Sequence, residues 1–139
     1  MTELRYFPGT EQTIEIHLDG AATGGVLSLM RLRMPPGAGA PRHRHTREAE
    51  TLLVVDGELR VELDAVERTL RGGEAVFLPQ SSLHAFHSDA RATVDVVATP
   101  AGLEEFFRVV CPLEPDAPPP AEDEARTALE RAGLDFSGA

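Results

Sequence analysis

With 139 residues, of which 42% are hydrophobic and 26% charged, the chain has room for one domain with one core. Its formal charge of −10 predicts repulsion from phosphate backbones, so we expect no nucleic acid partner. All 13 basic residues are arginine, which excludes Schiff-base catalysis and phosphate loops that depend on lysine.

The N-terminal residues and the single cysteine narrow the class further. No apolar run near the N-terminus is long enough for a signal peptide, and no stretch approaches the roughly 18 apolar residues of a membrane span. We therefore expect a cytoplasmic protein without a membrane partner. Cys111 has no second cysteine to pair with, and its position beside Pro112 favours apolar packing over a catalytic thiol.

From Thr13 to Ala98 the sequence consists of short alternating stretches bounded by turn residues such as Asp56 and Gly57. The first stretch is predicted to be an edge strand. The predicted strands are Thr13–Leu18, Val26–Met34, Glu50–Val55, Glu58–Leu63, Val66–Leu70, Ala75–Leu78, Leu83–Ser88 and Thr93–Ala98. Many short strands at this spacing predict an all-β sandwich or barrel, with helix confined to the residues after Thr99.

The last 40 or so residues have a different character. Thr99 and Pro100 are typical of an N-cap and a first helical residue, and an apolar stripe follows at Leu103, Phe106, Phe107 and Val110. A proline-rich connector precedes a second predicted helix over Glu122–Ala132, with Gly133 as its C-cap. We expect this helix to dock through Leu134 and Phe136. The predicted division is a barrel with its packed helix over residues 1–110 and a tail over 111–139.

The residues most suggestive of chemistry are His43 and His45. On an extended backbone they point to one side, while Arg42 and Arg44 point to the other. Two imidazoles on one face, joined by a carboxylate from the next strand, provide what a mononuclear metal site needs. A surface loop with two histidines is the competing interpretation, because His-x-His alone is a short pattern.

Glycines at fixed distances surround this histidine pair. Five residues separate Gly37 from His43, four separate His45 from Glu50, and six separate Glu50 from Gly57. A second group follows, with Gly73, Pro79 and His84 at five-residue and four-residue separations. This pattern resembles the two motifs of the cupin superfamily and covers roughly Val26 to Val110.

The resemblance implies a double-stranded β-helix, or jelly-roll barrel, with a short helical C-terminal extension. It also implies that one divalent metal ion is bound by His43, His45, Glu50 and His84. Two positions depart from the family pattern: Ser81 stands where glycine usually serves a turn, and Ser88 stands where asparagine is usual.

Other polar residues near the motifs are less suitable as metal ligands. Glu48 is a rival carboxylate, but it follows His45 too soon for the family spacing, so we expect a solvated loop charge. His87 lies at an odd offset from His84 and is expected to face outward. The side chains expected to line an apolar substrate pocket are Leu52, Val54 and Phe86.

The sequence from Thr99 to Phe107 and the terminal Gly133–Phe136 resemble small bacterial cupins described as quercetin-dioxygenase-like. This implies a dioxygenase-like oxidoreductase that acts on a small organic molecule, with Glu50 also serving as the base that takes a substrate proton. Two alternatives stay open: a non-catalytic, metal-stabilised binding protein, and a metal-dependent isomerase or decarboxylase. The ligand set suits Fe, Mn, Ni, Zn or Cu. Cupins often pair through N-terminal strands, so a homodimer is expected.

Overall fold

A computed structural model describes residues 2–139. It contains two antiparallel sheets, one of six strands in the order β1-β2-β3-β10-β5-β8 and one of five strands in the order β11-β4-β9-β6-β7. The strands are β1 (Glu3–Tyr6), β2 (Thr13–Leu18), β3 (Ser28–Met34), β4 (Gly39–His45), β5 (Ala49–Asp56), β6 (Glu58–Leu63), β7 (Val66–Arg71), β8 (Ala75–Leu78), β9 (His84–His87), β10 (Ala92–Thr99) and β11 (Leu134–Asp135). The helices are α1 (Gly20–Thr23), α2 (Leu103–Val110) and α3 (Glu122–Ala132). The predicted jelly-roll barrel with a helical C-terminal extension is confirmed.

Alternation along the strands builds the core between the two sheets. Along β10, Val94 and Val96 are buried, while Asp95 between them faces outward and accepts two hydrogen bonds from Arg31 at 2.7 and 3.0 Å. On β10 the period of two therefore places apolar side chains in the core and the ion pair on the outer face. The interior that results is mainly apolar, and three buried histidines and two buried glutamates gather near β4, β5 and β9.

Two details of the strand prediction are wrong. The stretch Thr13–Leu18 is not an edge strand, because β1 pairs with it and occupies the sheet edge instead. Helix is also not confined to the C-terminal region, since α1 forms one turn between β2 and β3. Its N-cap is Asp19, whose carboxylate accepts a hydrogen bond from the Ala22 backbone N–H at 2.9 Å.

The start predicted for the first helix is also wrong. Thr99 pairs with Ala49 as the last residue of β10, so its backbone belongs to the sheet and does not begin the helix. The helix begins at Leu103 after Gly102, whose φ of 140° is accessible to glycine and rarely to other residues. No side chain caps the first turn of this helix, and Glu104 instead accepts a hydrogen bond from the backbone N–H of Gly102 itself at 2.8 Å.

The C-terminal residues return to the barrel. Helix α3 packs against α2 and ends at Gly133, whose positive φ of 69° forms the predicted C-cap. Strand β11 then pairs with β4, placing Leu134 opposite His45. The division of the chain at residue 110 remains a prediction, but residues near the C-terminus contribute a strand to the five-stranded sheet.

Ser81 and Ser88, the two residues that depart from the family motif, both make hydrogen bonds that hold the local backbone. Ser81 adopts a φ of +65°, the left-handed conformation that glycine adopts without strain, and its N–H donates to the His45 carbonyl at 2.8 Å. Ser88 is fully buried and its hydroxyl donates to the Pro35 carbonyl at 3.2 Å. It therefore ties the loop before β4 to the end of β9.

Candidate metal centre

Strands from both sheets bring the four predicted ligands to one place. His43 and His45 alternate with arginines on β4 and face inward, His84 lies opposite His43 on β9, and Glu50 projects from β5. All four side chains are buried, and one donor atom from each lies within 4.8 Å of every other. This group could hold a metal ion.

The separations between donor atoms fit a common ion. The Nε2 atoms of His43 and His45 are 3.0 Å apart, and His45 Nε2 lies 2.7 Å from Glu50 Oε1. His84 Nε2 lies 3.5 Å from the same oxygen. Ligands that each stand about 2.0–2.2 Å from one ion lie roughly 3 Å from their neighbours, so these distances match a ligand sphere.

Hydrogen bonds to the other ring nitrogens orient the three imidazoles. His43 Nδ1 lies 2.7 Å from the Pro41 carbonyl, which can only accept, so Nδ1 carries the proton and Nε2 has its lone pair free. His45 Nδ1 lies 2.9 Å from the Glu48 carboxylate and His84 Nδ1 lies 3.4 Å from the Ser82 hydroxyl. All three Nε2 atoms are thereby directed at one point, as metal-binding histidines require.

His84 provides an independent indication that a ligand belongs here. Its Nε2 atom is buried and has no hydrogen-bond partner among residues 2–139. Leaving a buried polar atom without a partner costs about 1–3 kcal/mol, so such atoms are rare unless something binds to them. A metal ion among the four donors would satisfy this nitrogen.

Burial and hydrogen bonding shift the pKa values of the cluster in different directions. Burial lowers the pKa of His43 to about 4, so His43 is neutral at pH 7. Burial also acts to lower the pKa of His45, but hydrogen bonds with Glu48 and Glu50 outweigh it and raise the pKa to about 9. Burial raises the pKa of Glu50, whereas the hydrogen bond from His45 lowers it, and the result is a carboxyl pKa of about 2. A proton on His45 therefore lies between two carboxylates.

Glu48 is not the solvated loop charge that the sequence predicted. Its side chain is only 4% exposed and its carboxylate accepts the hydrogen bond from His45 Nδ1. A bend at Thr46 and Arg47 turns the chain between β4 and β5, so Glu48 reaches back to His45. This contact depends on the bend, which no spacing rule of the sequence specifies.

A cavity of about 160 Å³ opens beside the cluster. Leu52 and Phe86 line it, whereas Val54 is fully buried in the core and is not among its lining residues. Aromatic side chains from α2 and the C-terminal segment also line the cavity, and the Phe136 ring stacks on the His43 ring with centroids 5.2 Å apart. Phe136 was expected to help dock the second helix, and no feature of the sequence connects it with the histidines.

Two residues outside the cluster, His87 and Cys111, behave as predicted. His87 lies on β9 with its side chain 42% exposed and pairs with Asp89 at 3.0 Å. Cys111 is fully buried, and burial raises the pKa of its thiol to about 12. The thiol therefore packs as an apolar group.

The fold and the site together define a small antiparallel jelly roll with a convergent His-His-Glu-His group that could hold a metal ion. The family model described as "Cupin domain" matches residues 30–100, just over half of the chain. The chain belongs to the cupin family.

Solved structures share this fold. An RmlC-like cupin from Shewanella frigidimarina is 22% identical with a TM-score of 0.63, over 73% of this chain and 86% of that one. A predicted oxalate decarboxylase from Thermotoga maritima is 17% identical with a TM-score of 0.59, over 72% and 92%. A recombinant oxalate oxidase in complex with glycolate is 26% identical with a TM-score of 0.56, over 66% and 53%. No curated protein sequence matches the chain significantly.

Within residues 2–139, no helix has both the length and the apolar character needed to span a membrane.

Proposed function

We propose that this cupin binds one divalent metal ion through His43, His45, Glu50 and His84 and uses it in dioxygenase-like chemistry on a small organic substrate. The unpartnered Nε2 atom of His84, buried beside three other donors, is the observation that carries the metal assignment. Fe, Mn, Ni, Zn and Cu are all compatible with three imidazoles and one carboxylate. When bound, the ion would supply Lewis acidity and, if redox-active, electron transfer to dioxygen.

The residues of the chain have separable roles in this proposal. The Nε2 atoms of His43, His45 and His84 would bind the ion, which displaces the proton of His45, and Glu48 holds His45 by accepting from its Nδ1–H. Glu50 lines the cavity beside the other donors, so we assign it a second role as the acceptor of a substrate proton. The apolar cavity wall keeps bulk water away from the substrate.

The cavity beside the donors supports an open site and thus an enzyme. A structural zinc site is usually closed by four protein ligands, whereas three of these four donor residues also line a space large enough for a small molecule. The similarity to an oxalate oxidase supports oxygen-using chemistry on this fold. The similarity to a predicted oxalate decarboxylase supports a metal-dependent decarboxylase as the second candidate.

Reconstitution tests this proposal. Metal-free protein would be loaded anaerobically with Fe(II), Mn(II), Ni(II), Cu(II) or Zn(II), and bound metal and oxygen uptake would be measured with small β-diketones as substrates. We expect one ion per chain, with oxygen uptake only for redox-active metals and loss of uptake in Glu50→Gln. Tight metal binding with ligand retention but no turnover would replace the enzyme by a binding protein. Carbon dioxide release from small acids without oxygen uptake would favour the decarboxylase.

Two further expectations belong to this proposal. A second copy would pair through β1, which forms the edge of the six-stranded sheet and exposes 40% of Leu4. Light scattering should then give twice the mass of one chain, and the single-chain mass would contradict the dimer. We also propose a cytoplasmic location, which cell fractionation would test.

A further inference from the structure

We propose that Phe136, on the C-terminal segment, is a size-selecting wall of the cavity, and that the site takes a small, flat ligand with one metal-binding head and an apolar body. This inference rests on the proposed metal site and goes further by naming the ligand class. The side chain of Phe136 lines the cavity, stacks on His43 and is 39% exposed, so it lies between the cavity and solvent.

The chain holds Phe136 in place through backbone contacts. Leu134 and Asp135 pair with β4, opposite His45 and Arg44, directly before Phe136. Thr46 also donates its backbone N–H and its hydroxyl to the Gly133 carbonyl, at 2.9 and 2.8 Å. The position of the wall is therefore fixed to the same strand that carries His43 and His45.

The cavity volume limits the ligand. Pockets for drug-sized molecules measure roughly 300–1,000 Å³, whereas this cavity measures about 160 Å³. A single ring with a short polar head is therefore close to the largest body that fits while Phe136 stays in place. A second ring would have to occupy the position of the Phe136 side chain.

The chemistry of the cavity wall limits the ligand further. Among the residues of 2–139 that line the cavity, Gln12 is the one polar side chain apart from His43, His45 and Glu50. No arginine lines it, because strand arginines such as Arg31 face outward and are paired with carboxylates. A second negative charge or a polyhydroxylated body would be buried without a partner, which is costly. The metal would be the only cationic group available to an anionic head.

The ring geometry favours a flat body. Phe136 is stacked on His43 with 24° between the ring planes, and Phe86, Phe106 and Phe107 supply further aromatic surface. Aromatic side chains bind planar groups by stacking and edge contacts, which adds to the gain from burying apolar area. A planar ligand between these side chains would contact several rings at once.

Hydroxamates of increasing size test the inference, because they share one metal-binding head. Zinc-loaded protein would be titrated calorimetrically with acetohydroxamate, benzohydroxamate and 4-phenylbenzohydroxamate. We expect the wild type to bind benzohydroxamate most tightly and to exclude the biphenyl compound. Phe136→Ala should admit the biphenyl compound and weaken benzohydroxamate by about threefold to tenfold, the worth of one aromatic contact. Phe136→Trp should narrow the cavity and weaken benzohydroxamate without admitting the biphenyl compound.

Phe77→Ala is the matched control, since Phe77 is 57% exposed on β8 and does not line the cavity. It should leave all three affinities unchanged. Zinc affinity is measured first on each variant, so failure of the metal site is recognised separately from failure of this inference. With zinc bound, wild-type binding of the biphenyl compound as tight as that of benzohydroxamate would overturn the size limit. An unchanged affinity order in Phe136→Ala would overturn the role of Phe136, and no binding of any hydroxamate would overturn the ligand class.

Discussion

Two histidine–carboxylate pairs lie on opposite sides of the five-stranded sheet and differ mainly in burial. The inner pair, His45 and Glu48, is 2.9 Å apart with side chains 6% and 4% exposed. The outer pair, His87 and Asp89, is 3.0 Å apart with side chains 42% and 69% exposed. Water screens the outer pair, so its contribution to stability is small. Within the barrel the same contact raises a histidine pKa and directs a nitrogen at other donors.

The comparison shows that pair geometry alone does not identify a functional histidine. The two regions differ in the groups that surround each pair. The inner pair lies beside three further potential metal ligands, His43, Glu50 and His84, whereas the outer pair lies beside Arg60. The hydrogen bond from Arg60 is the main cause of the lowered pKa of Asp89, as expected for a surface ion pair. Substitutions in the inner pair and matched substitutions in the outer pair should therefore have different effects on metal affinity.

The largest expected effect is on metal affinity, and it is tested by replacing each of two histidines of β9 in turn. His84→Ala removes an inward donor of β9, and we expect metal affinity to fall more than about 100-fold, beyond the effect of losing an orienting partner. His87→Ala removes an outward histidine of that strand and should leave affinity unchanged. Calorimetric titration of each variant with Zn(II) measures both. Equal affinity in the two variants would show that the inner cluster does not bind the metal.

The next effect concerns the two carboxylates. Glu48→Gln keeps an oxygen that can accept from His45 but removes the charge, and metal affinity should fall about 10- to 100-fold, as for other groups that orient metal-binding histidines. Asp89→Asn makes the same change on the outer pair and should have no effect. Affinities measured under identical buffer conditions decide the matter, and a Glu48→Gln affinity within twofold of wild type would reduce Glu48 to a packing role.

A smaller effect is expected from pH. Metal binding needs the lone pair of His45 Nε2, and the raised pKa of about 9 means that a proton occupies it at pH 7. Apparent affinity should therefore rise about tenfold per pH unit between pH 7 and 9, with one proton released per metal. His43, with its pKa lowered to about 4, releases none in this window. Titrations in buffers of different ionisation enthalpy count the protons, and an affinity that is flat with pH would contradict the assignment.

The smallest effect concerns the backbone beside the inner pair. Ser81 has a φ of +65°, which costs a non-glycine residue roughly 1–2 kcal/mol, although glycine loses more backbone entropy on folding. Ser81→Gly should therefore raise the free energy of unfolding by up to about 1 kcal/mol. Ser82→Gly, which loses the hydroxyl bond to the Pro79 carbonyl at 2.7 Å, should lower it. Urea unfolding measures both, and a destabilised Ser81→Gly would show that the serine side chain is needed.

Strand alternation suggested the histidine pair, and the resemblance to the cupin motifs supplied the full set of four candidate ligands. His43 and His45 differ by two positions on one strand, whereas the spacing of the two cupin motifs, and not alternation, indicated Glu50 and His84. Glu48 was missed because its orientation depends on the bend at Thr46 and Arg47, which no spacing rule specifies.

The sequence did not predict contacts between distant parts of the chain. The stacking of Phe136 on His43 requires that the chain return to β4 after α3, and periodicity carries no information about such pairing. The start of α2 was misplaced because Thr99 and Pro100 have the composition of a helix start, while strand pairing with Ala49 overrides that local preference. Both failures have one cause, which is that tertiary contacts decide between locally equal conformations.

Anomalous diffraction from crystals of the protein loaded with Zn(II) tests the central claim most directly, because it locates the ion. We predict one peak per chain, about 2.0–2.2 Å from the Nε2 atoms of His43, His45 and His84 and from a carboxylate oxygen of Glu50. A peak at His87 and Asp89, or no peak in the barrel at full occupancy of added metal, would contradict the assignment.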